Sequence, residues 1–124
     1  MKGHDVAIGL VKVPVTDFGR ATRYYRETLG LEEEFAVEAY GWAQYRVGGA
    51  PLCLYVEGRG GGDGSPGGDT GFHLTVTDAR ALFEALAERG VETLHGLEEG
   101  DDGGVFFTVE DPDGNTFKVT QRME

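Results

Sequence analysis

The chain has 124 residues, a formal net charge of −11 and 40% hydrophobic residues. That size suits one domain with its own core, and the charge argues against nucleic acid or an anionic membrane as partner. The one cysteine, Cys53, excludes an intrachain disulfide, and no apolar run reaches the roughly 18 residues of a membrane span.

Met1–Asp5 has no signal-peptide pattern, so a cytoplasmic location is expected. Val6 to Val15 alternates and reads as a strand. Val11, Val13 and Val15 form one face; Leu10, Lys12 and Pro14 form the other. Asp17 is a helix cap for Phe18 to Leu29, whose stripe is Phe18, Ala21, Tyr25 and Leu29, and Gly30 is the stop. Three strands follow, over Leu31–Val37, Trp42–Val47 and Leu52–Val56, with a tight turn at Gly48-Gly49. In the last of them Cys53 and Tyr55 share a face. Trp42, Gln44 and Arg46 share a face of the middle strand, but alternation does not say whether that face points inward. Residues 58–69 are glycine-rich and read as a flexible connector.

The second half repeats this order. A strand over Gly71–Val76 leads to the cap Asp78 and a helix with Ala79, Leu82, Phe83 and Leu86 on its buried stripe, stopping at Gly90. Val91–Leu97 reads as a strand and Glu98–Gly104 as an acidic loop. Val105–Val109 and Thr116–Gln121 are strands joined by the turn Asp111-Pro112-Asp113-Gly114-Asn115. The segment Val13-Pro14-Val15-Thr16-Asp17 thus recurs as Leu74-Thr75-Val76-Thr77-Asp78. The expectation is one α+β domain over 1–124, built from two βαβββ modules at 5–57 and 70–122, with a linker at 58–69.

The double βαβββ unit, the paired strand ends at Asp17 and Asp78, Tyr24-Tyr25 ahead of Leu29-Gly30-Leu31, and the Asp111–Asn115 turn together resemble the vicinal-oxygen-chelate superfamily. It includes glyoxalase I, bleomycin-resistance proteins, fosfomycin-resistance enzymes and extradiol dioxygenases. The resemblance implies two modules whose mixed sheets curl around a shared cavity, with helices outside and a small-molecule ligand in the cleft. It also implies a homodimer. In metal-using relatives four inward positions hold the ion; here they fall on Leu10, Cys53, Gly71 and Lys118. Leu and Gly offer no donor atom and a protonated Lys repels a cation. The expectation is therefore no metal, no cofactor and a bleomycin-resistance-like branch.

The helix-avoiding face collects Leu10, Lys12, Cys53, Tyr55, Gly71, His73 and Lys118, and Trp42 is a further candidate for ligand contact. Apolar and aromatic walls with a few polar groups suit a small-molecule pocket. The leading expectation is sequestration of a ligand. One alternative is a metal-independent lyase or isomerase in which Lys118 stabilises an oxyanion and His73 shuttles a proton. Another is a divalent-metal lyase or dioxygenase whose ligands lie elsewhere. Plainer readings exist for each residue. Lys12 and Lys118 can snorkel to solvent. Cys53 is a small buried residue unless Lys118 lies close enough to depress its pKa. Tyr24 and Tyr25 pack a helix, the acidic runs are solvated, and His4 and His95 carry no role.

Overall fold

Both repeated aspartates start a helix. Asp17 Oδ1 accepts from the Arg20 amide and Asp78 Oδ1 from the Ala81 amide, each at 3.0 Å, which satisfies a donor that a first helical turn leaves free. In the computed structural model, which describes residues 1–122, the elements are β1 (Val11–Val15), α1 (Phe18–Arg23), β2 (Glu32–Val37), β3 (Trp42–Arg46), β4 (Leu52–Val56), β5 (Gly68–Val76), α2 (Ala79–Glu88), β6 (Leu94–Glu99), β7 (Val105–Glu110) and β8 (Asn115–Gln121). They form two four-stranded sheets, ordered β1-β4-β3-β2 and β5-β8-β7-β6. β1 is parallel to β4 and β5 to β8; the other pairs are antiparallel. This is the expected α+β fold of two βαβββ modules, and its sheets do not close into a barrel. No helix of the described residues is long and apolar enough to cross a membrane.

One core serves both modules. Val13, Val15, Ala43, Tyr45, Leu52 and Leu54 of the first sheet share a buried cluster with Phe107, Val109, Phe117 and Val119 of the second. Ala21 and Leu86 of the helices complete it. Burial of such side chains contributes roughly 1.5–3 kcal/mol each. The alternation of β-strands then commits Lys12, Cys53, Tyr55, His73 and Lys118 to the opposite, helix-free faces.

After α1 the chain widens into a π-helical turn over Tyr24–Thr28, in which the Leu29 amide reaches the Tyr24 carbonyl at 2.9 Å. The extra residue in that turn lets two consecutive tyrosines reach module two. Tyr24 Oη donates to the Glu110 carbonyl at 3.3 Å and Tyr25 Oη to Asp111 Oδ2 at 2.7 Å. Asn115 Nδ2 donates to Asp111 Oδ2 and to the Pro14 carbonyl, each at 2.9 Å. Thr16 Oγ1 donates to Asp113 Oδ1 at 2.5 Å. The Asp111–Asn115 turn is therefore a clasp between the modules, and Tyr24 and Tyr25 do more than pack a helix.

Three boundaries differ from expectation. β1 covers Val11–Val15 only, because its partner begins with Leu52 opposite Val11 and leaves residues 6–10 nothing to pair with. Val6 and Ile8 consequently stay 62% and 73% exposed. β5 begins at Gly68, inside the expected connector, where Gly68 pairs with Asn115. β6 takes Glu98 and Glu99 from the expected acidic loop, since they pair with Phe106 and Val105.

Candidate functional site

The candidate residues form two clusters, one on each sheet. On the first sheet Lys12, Cys53 and Gln44 are register neighbours, and Pro14, Tyr55 and Trp42 form the next row. Ala43 and Tyr45 enter the core, so Trp42, Gln44 and Arg46 share the helix-free face. Beyond Trp42 that face ends in a cleft of about 440 Å³ lined by Phe35, Val37, Tyr40, Trp42 and Arg59 together with the Gly60–Gly61 backbone. Tyr40 is 71% exposed there.

The connector expected to be flexible lies across this face. Lys12 Nζ donates to the Gly61 carbonyl at 2.7 Å and sits 5.2 Å from the centre of the Tyr55 ring. Tyr55 Oη accepts from the Gly64 amide at 3.1 Å. A β-carbon at Gly61 would lie 2.5 Å from Tyr55 Cβ and 2.9 Å from the Trp42 ring, and one at Gly64 would lie 2.3 Å from Tyr55 Oη. Glycine is needed here for close approach, a use that composition alone does not separate from flexibility.

Cys53 is fully buried and its Sγ donates to Gln44 Oε1 at 3.5 Å. Burial, with the Glu34 carboxylate nearby, pushes its thiol up to about 11. A thiol that holds its proton is a poor nucleophile. The depression considered from Lys118 is thus replaced by a rise: Lys118 lines a pocket of the other sheet.

On the second sheet His73 and Lys118 are register neighbours, and Thr108 faces Lys118 from β7. Lys118 Nζ sits 5.0 Å from the centre of the Phe106 ring. They line an open pocket of about 410 Å³ with Thr116, His95 and Glu98. Among the described residues Lys118 has no ion-pair partner. His95, given no role from sequence, reaches the pocket from the irregular part of β6, where its φ is +64°. Phe106 and Thr108 also escaped notice, although their alternation with the core residues Phe107 and Val109 marks them. Leu10 and Gly71 join neither cluster. Leu10 precedes β1 and is 40% exposed, while Gly71 lies in the irregular part of β5 with its amide on Asp69 Oδ1.

The model of the Glyoxalase/Bleomycin resistance protein/Dioxygenase superfamily matches residues 7–119. The chain belongs to this superfamily. A member from Sphaerobacter thermophilus DSM 20745 is 25% identical, with a TM-score of 0.78 over 95% of this chain and 98% of that one. A glyoxalase/bleomycin resistance protein from Catenulispora acidiphila DSM 44928 is 27% identical, with a TM-score of 0.73 over 94% and 100%. A lactoylglutathione lyase from Agrobacterium tumefaciens shares the fold at 17% identity, with a TM-score of 0.79 over 94% of each chain. No curated protein matches the sequence.

The four positions at which the resemblance places metal ligands do not carry a matching donor set here. Of the four positions, Leu10 and Gly71 have no donor atom, Lys118 is a cation, and Cys53 alone carries a donor. Among the described residues no three His, Cys, Asp or Glu side chains form a group able to hold a metal ion.

Proposed function

We propose that the protein binds a small organic molecule without a metal, on the helix-free face of the second sheet, and sequesters it. The observation that carries this reading is the Lys118 ammonium over the Phe106 ring, without an ion-pair partner among the described residues, beside His73 in an open pocket. A cation, an aromatic face and the Thr108 and Thr116 hydroxyls together suit a flat ligand bearing a carboxylate or carbonyl. The overall charge of −11 acts through screened solvent and influences approach more than contact. A thermal-shift screen tests it by comparing aromatic carboxylates with the matching aromatic amines. The carboxylates should raise the melting temperature of the wild type and not of Lys118→Met, with EDTA making no difference. A carboxylate shift abolished by EDTA, or no preference over the amines, rejects the reading.

Exposed Val6 and Ile8 and the free edges of β1 and β5 support a homodimer as part of this proposal. Light scattering should give twice the chain mass at micromolar concentration, and Ile8→Glu should reduce it to one.

The register pairing of His73 with Lys118 supports a second reading, metal-independent proton transfer. In it Lys118 steadies a developing oxyanion and His73 moves the proton. Lys118→Met would then abolish turnover while preserving the melting temperature; a variant with full activity rejects this role for Lys118.

A further inference from the structure

The pairs Lys12–Cys53 and His73–Lys118 occupy matching places in the two modules, each across the parallel strand pair and ahead of a capping aspartate. One of these faces is covered and the other is open. We infer that residues Gly58–Gly64 form a fastened strap that occupies the first face from within the chain, and that Lys12 is a positioning residue for this strap.

Three fastenings carry the inference. Lys12 holds the Gly61 carbonyl, Tyr55 holds the Gly64 amide, and the end of β4 pins the near end, with the Arg59 amide on the Val56 carbonyl at 3.1 Å. The face reads backbone rather than side chains, since Gly61 and Gly64 leave no room for a β-carbon. The strap also supplies the Gly60–Gly61 wall of the cleft at Phe35, Tyr40 and Trp42. It therefore narrows the open part of the first face to a slot for a flat ring, stacked as aromatic groups prefer. That last step rests on the reading that this protein binds small molecules; the strap itself does not.

Native-state amide exchange of the wild type tests it. The Gly64 amide should exchange at least about tenfold more slowly than a free glycine amide, and Tyr55→Phe should release it while the β4 amides keep their protection. Trp42, the chain's one tryptophan, lies against Gly61, so Lys12→Met should raise its quenching by acrylamide. A Gly64 amide at the free rate in the wild type overturns the strap, as does equal Trp42 quenching with and without Lys12. Either result leaves carboxylate binding at Lys118 untouched, and failed binding at Lys118 leaves the strap readouts untouched, so the two readings fail separately.

Discussion

The Tyr25 hydroxyl donates to Asp111 Oδ2 at 2.7 Å, and both side chains are buried. Burial and the Asp111 carboxylate push the Tyr25 pKa well up, so the hydroxyl remains a donor. Removing a hydrogen bond to a buried charge costs roughly 1.5–3 kcal/mol, and Tyr25→Phe should lose that much in urea denaturation. Asn115→Ala should lose more, because its side chain also bonds Pro14 and the Gly67 amide.

The two helix caps have the same geometry. Asp17→Ala and Asp78→Ala should each cost about 1 kcal/mol. A difference beyond that scale between the two variants would show that the caps are not equivalent in energy.

Cys53 gives a pH dependence. Its folded pKa is raised, from an ordinary 9.0 to about 11. The protonated thiol therefore supports the native state fully below about pH 9, and that support is lost as pH climbs through about 11. Stability of the wild type should fall more steeply across this window than that of Cys53→Ala, as read by urea midpoints. Alkylation by iodoacetamide at pH 8 should be slow in native protein and fast in urea.

Arg46 faces Glu32 at 2.7 Å and Glu34 at 3.0 Å, but the Arg46 and Glu32 side chains are largely exposed. Arg46→Gln should change stability by under about 1 kcal/mol. A larger loss would mean that this trio acts as a network.

The modules were legible because each level of the sequence agrees: alternation, an aspartate cap and a glycine stop occur twice in the same order. The two faces of each strand were legible too, since period two admits only two choices, but on β3 the choice between Trp42, Gln44 and Arg46 and the core pair Ala43 and Tyr45 came only with the fold. Three things were hidden for physical reasons. The strap is recognised by its backbone, so its residues look like those of any loose linker. Strand ends depend on a partner's length, and the apolar stretch at Val6–Leu10 has none opposite it in this chain. His95 reached the second pocket through an unusual backbone conformation that no side-chain pattern announces.

The clasp joins residues far apart along the chain: 86 positions separate Tyr25 from Asp111 and 101 separate Pro14 from Asn115. Each sheet, by contrast, pairs strands within its own half. Closing the longer loop carries the greater entropic cost, and contacts of high sequence separation slow folding. The clasp should accordingly consolidate after both sheets. Tyr25→Phe would then speed unfolding and leave the folding rate nearly unchanged, making the Asp111 turn the part of the molecule that governs how long the two halves stay together.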